Sequence, residues 1–364
     1  MKLEDLGYSE RLEERRQAYD REHGLMQDRS ATEPGRIIAE HKERYIVATG
    51  GGEVEAEITG HMRFAATGRA DFPAVGDWVL VTVYDTDFAI IHSILPRSSI
   101  LQRQAVGQFG EIQIIATNVD FAFLVQAVDR DFNVNRLERY LSICHASKVN
   151  PIIVLTKTDL IDAERLAELR SAIEGRIHDV PILTVSNVTH EGCDELRKHI
   201  EYGKTYCMLG SSGVGKSSLI NTLTGGAIQK TGDISESTHK GRHVTTHREL
   251  IVLSTGGMLI DNPGMREVGL ADATGGVEAT FDRIAELSVH CRFADCTHTV
   301  EAGCAVIEAV EQGQIDRASY ENYLKLERER SHFQSTVAEK RKKDKAFGKM
   351  LKNYHKQNPK QRDL

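Results

Sequence analysis

The sequence predicts a multidomain α/β protein with a small N-terminal β-barrel, a central parallel α/β domain and a helical C-terminal unit. Three observations support this prediction. From residue 35 to about 101, short β-type runs alternate with Gly, Pro and Asp breaks. From residue 118 onward, strand-sized apolar runs alternate with helical runs, which is typical of a parallel sheet covered on both faces. After about residue 281 the pattern is helical and is interrupted by a Cys/His cluster.

Composition excludes two broad classes. The chain has 364 residues, 40% of them hydrophobic and 27% charged, and a formal net charge of −7. At roughly 150 residues per domain this length predicts two or three domains. No apolar run approaches the ~18 residues that a membrane span needs, and three of the first five residues are charged, with no apolar stretch of the signal type. We therefore expect neither a membrane nor a secreted protein. Six cysteines are too few for a disulfide scaffold, which favours the cytoplasm.

The charge is divided unevenly along the chain. Residues 317–364 contain 14 Lys and Arg against 6 Asp and Glu, a net charge of +8 that leaves −15 for residues 1–316. A basic tail on an acidic body suggests that the tail binds a polyanion. The alternative is a solvated helix face.

Four segments are predicted. Residues 1–34 form a charged extension that is too polar to anchor a core, although 9–21 could be helical. Residues 35–112 form the barrel, 113–284 the α/β domain and 285–364 the helical unit with its basic tail. About five strands in the barrel favour an OB-like fold, which binds oligonucleotides. An SH3-like barrel without a nucleic-acid role is the alternative.

A phosphate-binding loop is predicted at residues 210–217, whose sequence GSSGVGKS matches the full pattern G-x4-G-K-[ST]. It follows an apolar strand and precedes a helix, as the motif requires. Its backbone N–H groups and the helix N-terminus bind phosphates. Lys216 would reach the β- and γ-phosphates, Ser217 would ligate Mg²⁺ and Ser218 would meet the α-phosphate. The chain therefore binds a nucleoside triphosphate through Gly210, Ser211, Ser212, Gly213, Val214, Gly215, Lys216, Ser217 and Ser218.

Base recognition is predicted upstream of the P-loop. Guanine readers carry N-K-x-D, whose Asp accepts hydrogen bonds from the guanine N1 and N2 groups. Here the strands at 152–155 and 182–185 run into T-K-T-D and S-N, at strand ends where α/β sheets bind ligands. These residues are Thr156, Lys157, Thr158, Asp159, Ser186 and Asn187. The order of base loops before P-loop predicts a circularly permuted domain, because moving the termini leaves the sheet unchanged. The alternative is that Lys157 and Asp159 are ordinary loop residues.

Two of these residues depart from the usual pattern. Thr156 replaces the Asn whose amide helps to join the base loop to the P-loop, so nucleotide affinity or loop order is expected to differ. Asn187 replaces an Ala, a mild change because the backbone N–H makes the expected contact there. Asp159, which discriminates guanine, is retained.

Switch elements follow the P-loop. The run D-N-P-G comes directly after a strand at 258–260, so that Asp261 would face Mg²⁺ and the Gly264 amide the γ-phosphate. Residues 224–247 are rich in Gly, Thr, Ser and His, as expected of a switch loop. Thr245 or Thr246 would close on Mg²⁺ when triphosphate is bound.

The residue that orients the attacking water is not evident. Met265 stands where signalling GTPases have a Gln, and a thioether does not position water. His243, His247 or a group supplied by a partner are the candidates, against the alternative that each histidine is a solvated loop residue. We expect slow intrinsic hydrolysis.

A structural zinc site is predicted from the spacing C-x4-C-x-H-x5-C. Cys291, Cys296, His298 and Cys304 supply three thiolates and one imidazole, a complete tetrahedral set with no open position for catalysis. Reduced cysteines without metal are the alternative, and His290 could substitute as a ligand. The metal would stabilise a small helical unit that has little core of its own.

Together, the barrel, the T-K-T-D, S-N, GSSGVGKSS and D-N-P-G motifs in this order and the Cys/His cluster resemble the bacterial ribosome small-subunit-dependent GTPase (RsgA) family over about residues 35–310. The resemblance implies an OB-fold, a zinc site and GTP hydrolysis, stimulated by the 30S subunit during its late maturation. It also implies binding of 16S rRNA.

The mechanism expected from this resemblance is GTP-dependent binding of the 30S particle. GTP and Mg²⁺ order the switch, the particle completes the catalytic geometry, and hydrolysis releases the protein, which we expect to be a monomer. Two readings remain open beside it. One is an adenine-using P-loop ATPase or kinase with Asp159 incidental. The other is a GTP-gated RNA-binding or assembly scaffold with little turnover.

Overall fold

A computed structural model of the chain describes residues 2–22, 32–41, 44–85, 87–104, 112–130, 132–226, 248–261 and 275–334. Within these ranges the chain forms thirteen strands and ten α-helices. The strands are β1 (Glu33–His41), β2 (Arg44–Thr49), β3 (Gly52–Ile58), β4 (Trp78–Asp85), β5 (Phe88–Ile94), β6 (Ile100–Gln104), β7 (Ile112–Thr117), β8 (Phe121–Ala127), β9 (Asn150–Thr156), β10 (Ile182–Val185), β11 (Thr205–Leu209), β12 (Arg248–Val252) and β13 (Met258–Asp261). The helices are α1 (Glu10–Glu22), α2 (Gly60–Ala65), α3 (Val134–Ser147), α4 (Ala163–Glu174), α5 (Cys193–Lys198), α6 (Lys216–Thr224), α7 (Gly276–Thr280), α8 (Asp282–Ser288), α9 (Ala305–Glu311) and α10 (Arg317–Gln334).

Strands β1 to β5 form a closed barrel. Their order is 1-2-3-5-4 with β4 closing onto β1; β3 and β5 run parallel and the other pairs antiparallel. The barrel interior is filled by alternate apolar residues, of which Ile37, Val47, Ala56, Val79 and Ile91 are fully buried. This order is that of an OB barrel. The predicted five strands and their OB-like class are therefore confirmed.

The central domain is a sheet with the order β10-β9-β8-β11-β13-β12. All neighbours run parallel except the edge strand β12, which is antiparallel to β13. Side chains of β8 alternate between two apolar clusters: Ala122 and Leu124 pack toward α3 and α4, and Phe123 and Val125 toward α5 and α6. Both faces are therefore covered, as the β/α alternation predicts.

The barrel and the central sheet are joined by strand pairing. β12 pairs antiparallel with β1, with Ala39 opposite Glu249 and Glu40 opposite Arg248. A separate two-stranded antiparallel sheet of β6 and β7 follows the barrel in sequence. The sequence pattern does not indicate this hairpin, and the domain boundaries drawn from sequence stay predictions.

The expectation that the N-terminal segment is too polar to anchor a core is wrong for residues 2–22. Leu6 is fully buried and Leu12 is 8% exposed, and the Tyr8 ring packs edge-on against Trp78 at 5.0 Å between ring centroids. The Arg15 guanidinium donates to the Pro96 carbonyl across 2.8 Å. A few apolar residues suffice here because they do not form a core of their own. They pack where the N-terminal segment meets the barrel and the central sheet, an interface called the N-terminal seam below.

Arg36 is the polar centre of this seam. Its side chain is buried, and it donates to the Thr205 hydroxyl across 2.7 Å and to the Leu6 carbonyl. Burial lowers its pKa to about 10, with Asp120 and Asp77 opposing the shift, so the guanidinium is charged at neutral pH. The N-terminal segment, the barrel and the central sheet therefore meet on one arginine.

The C-terminal unit is helical, as predicted, and packs on α3. Gly276 of α7 permits this contact, because a Cβ there would lie 2.1 Å from the Ser142 carbonyl oxygen. None of the helices in the described ranges is both long and apolar enough to cross a membrane.

Candidate functional site

The P-loop links the central strand β11 to helix α6. Gly210 faces β8 so closely that a Cβ there would lie 2.4 Å from the Val125 carbonyl oxygen. Gly215 has φ of +95°, a left-handed conformation that favours glycine. These positions let the backbone turn tightly at the carboxyl end of the sheet. The N-terminal first turn of α6 carries no acidic residue, so nothing there opposes the helix dipole toward an anion.

Lys216 lies over its own loop. Its Nζ donates to the Gly210 carbonyl across 2.6 Å and to the Ser211 carbonyl. Ser217 and Ser218 are the second and third residues of α6, so both lie in its N-terminal turn. Phosphate oxygens placed in this loop would replace the two carbonyls as acceptors for the lysine.

The two base-recognition segments meet at the ends of β9 and β10. The Ser186 hydroxyl donates to Asp159 Oδ1 across 2.5 Å. It also accepts from the backbone N–H groups of Val188 and Thr189. Lys157 forms an ion pair with Asp129 at 2.9 Å, which ties the base loop to the loop after β8. Asp159 is therefore held in place by a serine that is itself fully buried.

The base loop is also tied to the P-loop. The Thr156 hydroxyl donates to the Val214 carbonyl across 2.6 Å. On the other side, Asn187 Nδ2 is 3.5 Å and Thr156 Oγ1 is 3.8 Å from the position that a Cβ on Gly215 would occupy. The two residues that depart from the usual pattern thus both lie near the same glycine.

The switch residues are described only in part. Asp261 is the last residue of β13, beside the P-loop strand. Thr245, Thr246, His243, His247, Gly264 and Met265 lie outside the described residues. Their proposed roles stay predictions, as does any role of the basic tail (317–364), of which residues 335–364 also lie outside the described residues.

The cysteine and histidine cluster has the geometry of a closed metal site. Ligand atoms of Cys291, Cys296, His298 and Cys304 all lie within 4.8 Å of one another. The Cys291 and Cys304 sulfurs are 3.8 Å apart, and His298 Nδ1 is 3.6 Å and 3.4 Å from them. Sulfur and nitrogen ligands at about 2.0–2.3 Å from one tetrahedral Zn²⁺ lie at about these separations from each other. The four side chains therefore fit zinc.

Neighbouring groups orient the histidine of this cluster. His298 Nε2 lies 3.2 Å from the Ser288 hydroxyl, and the Tyr320 hydroxyl donates to the His298 carbonyl across 2.6 Å. Nδ1 is left to face the sulfurs, as expected when a second hydrogen bond selects the ligating nitrogen. His290, the alternative ligand, is not part of the cluster of described residues.

Helix α3 contacts both the nucleotide loops and the C-terminal unit. Tyr140 shares a side-chain hydrogen bond with Ser211 of the P-loop, and burial raises the pKa of its hydroxyl. On another face, the buried Glu138 carboxylate binds Arg176 through two hydrogen bonds of 2.6 and 3.0 Å. It also accepts from Ser319 and Asn322 of α10. Sequence reasoning missed this cluster because its members are far apart in the chain and form no motif.

The sheet order explains the permutation. β11, which carries the P-loop, lies between β13 and β8, and the base loops after β9 and β10 open on the same carboxyl edge as the P-loop. In chain order, however, β8, β9 and β10 come first. This arrangement defines a circularly permuted P-loop GTPase. In keeping with it, a structure titled as that of YloQ, a circularly permuted GTPase, shares the fold with a TM-score of 0.61 at 24% identity, over 85% of this chain and 99% of that one.

Comparisons with known proteins identify the family. A model described as RsgA GTPase matches residues 94–271; one described as ABC transporter matches 193–358, a range that also contains the P-loop. The chain is 43% identical to small ribosomal subunit biogenesis GTPase RsgA 1 of Bacteroides thetaiotaomicron, over 88% of this chain and 90% of the relative. It is 45% identical to RsgA 2 of Lactiplantibacillus plantarum, over 86% and 88%. The crystal structure of YjeQ from Thermotoga maritima matches with a TM-score of 0.62 and 27% identity, over 82% of this chain and 98% of that one. The chain belongs to the RsgA family of GTPases.

Proposed function

We propose that this protein hydrolyses GTP during maturation of the small ribosomal subunit. It binds the 30S particle and its 16S rRNA in the GTP-bound state and leaves after hydrolysis. The observation that carries the proposal is the junction of the two loops, in which Thr156 bonds to Val214 while Ser186 holds Asp159. Relatives at 43% and 45% identity carry the name small ribosomal subunit biogenesis GTPase, which supports the biological setting.

In this proposal the described residues share the work of holding GTP. Asp159 accepts hydrogen bonds from guanine, and the loop 210–217 surrounds the phosphates, with Lys216 on the β- and γ-phosphates. Ser217 and Asp261 would hold Mg²⁺, which neutralises charge on the transferred phosphoryl group when it is bound. His243 and His247 stay the candidates for positioning water, beside a group supplied by the particle.

The Cys/His cluster would hold one structural Zn²⁺, which fixes the fold of the C-terminal unit and takes no part in hydrolysis. We propose further that the protein acts as a monomer in the cytoplasm. The basic tail would contribute phosphate contacts that weaken as salt rises.

The test is GTP turnover by the full chain alone, with 30S subunits, with 50S subunits and with free rRNA, with ATP as the control nucleotide. We expect strong stimulation by 30S subunits only. Lys216→Ala should abolish turnover, whereas Lys198→Ala, at an exposed lysine that pairs with Glu195, should not change it. Equal slow turnover in every tube would reject a ribosome-activated GTPase and leave the GTP-gated scaffold.

A further inference from the structure

Helix α2 displays the most exposed large hydrophobic side chain among the described residues. Phe64 is 93% exposed. The helix that carries it is well anchored: the Thr59 hydroxyl accepts from the Met62 N–H across 3.1 Å at the N-cap, and Met62 packs against the barrel core. Phe64 is therefore held out into solvent by an ordered turn, where its ring is accessible for stacking.

The surroundings of Phe64 are basic. His61 and Arg63 lie on α2 itself, which has no acidic residue, and Arg69 follows shortly after. Arg63 and Arg69 line one depression of about 260 Å³ beside α2, together with a single acidic residue, Glu40. Asp71, whose carboxylate accepts from Thr67 and Gly68, is the one acidic residue in 59–72 and is outnumbered there by His61, Arg63 and Arg69.

Two other exposed surfaces among the described residues of the barrel carry the opposite charge. On β3, Glu53 and Glu55 are exposed, and Arg44, the nearby cation, is shared between Glu55 and Glu57. Tyr84 and Phe88, which are 60% and 37% exposed, lie at the β4–β5 turn beside Asp87. OB barrels commonly bind nucleic acid through the β2–β3 face and the adjoining loops. The exposed carboxylates of Glu53, Glu55 and Asp87 would repel phosphates from β3 and from the β4–β5 turn, whereas at α2 an exposed ring coincides with positive charge.

We propose that α2 is a binding site for single-stranded RNA, in which Phe64 stacks on an unpaired base and Arg63 and Arg69 contact the flanking phosphates. Stacking on an aromatic ring together with backbone phosphate contacts is how unpaired RNA is bound. A duplex does not fit, because its bases are already stacked and paired. This inference rests on the proposed function in one respect, because the proposed function supplies the RNA partner.

Phe64→Trp tests the stacking directly. The chain has one native tryptophan, Trp78, which is 3% exposed, so the new residue reports on α2 alone. Single-stranded RNA of about 12 nucleotides, within the site size of OB folds, should quench the added emission, while the same sequence as a duplex should not. Quenching by both forms, or by neither, would overturn the proposal.

Affinity provides the second measurement, on the full chain. Phe64→Ala should weaken binding of the single strand by about tenfold, and Arg63→Ala should weaken it and reduce the slope of log affinity against log salt by about 0.7. The matched control is Tyr84→Ala, an exposed aromatic of the same barrel in acidic surroundings, which should bind as the wild type does. Equal losses in Phe64→Ala and Tyr84→Ala would also overturn the proposal.

Binding to 30S subunits separates this inference from the proposed function. If Phe64→Ala binds the subunit less well but binds RNA normally, Phe64 contacts protein, and the RNA site is rejected. If wild-type turnover is not stimulated by 30S subunits but Phe64→Trp is still quenched by single strands only, the ribosomal role fails and the RNA site stands.

Discussion

The Thr156 hydroxyl donates a hydrogen bond to the Val214 carbonyl oxygen across 2.6 Å, and this bond joins the base loop to the P-loop. From the sequence alone, Thr in place of Asn at position 156 predicts a different nucleotide affinity or loop order. In the structure the shorter side chain still reaches the P-loop backbone. The Thr156 hydroxyl thus makes the connection between the two loops that an Asn amide is expected to make.

Thr156→Val tests this connection, because it keeps the shape of the side chain and removes the hydroxyl. The buried Val214 carbonyl would lose a partner, at a cost of about 1–3 kcal/mol. We expect GTP to bind about tenfold more weakly, as measured by titration with a fluorescent GTP analogue. Thr156→Ser, which retains the hydroxyl, is the control. Equal dissociation constants for the two variants would contradict the role of the bond.

Asn187 and Thr156 should be coupled, since both lie against Gly215. Asn187 also accepts from the Thr222 hydroxyl of α6 across 3.3 Å. We expect Asn187→Ala and Thr156→Asn each to weaken GTP binding, one by removing a contact and the other by crowding the amide. The double variant should recover affinity, with a coupling energy of about 1 kcal/mol. Strictly additive losses in this cycle would mean that the two positions act independently.

Asp159→Ala should remove the preference for GTP over ATP. Asp159 is held by the Ser186 hydroxyl at 2.5 Å, and in the proposed function this carboxylate accepts hydrogen bonds from guanine. Competition between GTP and ATP for the labelled nucleotide measures the preference. Asp162→Ala is the matched control, because that carboxylate caps α4 by accepting from the Arg165 N–H. Retained GTP preference in Asp159→Ala would favour the reading in which this aspartate is incidental.

The parts of the molecule that sequence predicts well are those in which one short motif contains the whole determinant. The loop 210–217 and the spacing from Cys291 to Cys304 are local patterns, so their ends and their geometry follow from a few neighbouring residues. Strand partners are not local. The OB order of the barrel required knowledge of which strands pair, because strand count alone also fits other barrels.

Contacts between distant residues could not be predicted in the same way. In the sequence, Arg36 looks like a charged strand residue and Leu6 like part of a polar leader. In the structure the Arg36 guanidinium donates to the Leu6 carbonyl at the centre of the N-terminal seam. In the sequence, Thr156 and Asn187 look like two independent departures from the guanine-binding pattern. In the structure both side chains lie near Gly215. In each case the partner is chosen by tertiary packing, which no local pattern encodes.

Metal analysis tests the Cys/His cluster. We expect one zinc per chain in the purified protein, and loss of that zinc in Cys304→Ser, because three remaining ligands do not complete a tetrahedral site. Hydrogen exchange of α9 should rise in the same variant, since Cys304 is the N-cap residue of this helix. Cys193→Ser, at a buried cysteine outside the cluster, should keep its metal. Equal zinc content in both variants would refute the site.

Glu138→Gln should loosen the C-terminal unit from the central domain. The Glu138 side chain is 1% exposed and the Arg176 side chain 12%, and the same carboxylate accepts from Ser319 and Asn322 of α10. Replacing the carboxylate by an amide leaves the guanidinium with only the more distant and half-exposed Asp316, at 3.7 Å, as a charged partner, and turns one acceptor into a donor. Breaking a buried pair in this way costs about 3–5 kcal/mol.

The measurements are the melting temperature and the hydrogen exchange of α10. We expect the melting temperature of Glu138→Gln to fall and exchange in α10 to rise. Glu168→Gln is the control, because its partner Arg165 and Glu168 itself are both 57% exposed, and an exposed pair contributes about 0–1 kcal/mol. If the two variants have the same melting temperature and α10 stays protected in both, the carboxylate does not hold α10 against α3, and the Arg139–Glu329 ion pair at 2.8 Å and the packing of α7 on α3 maintain that junction.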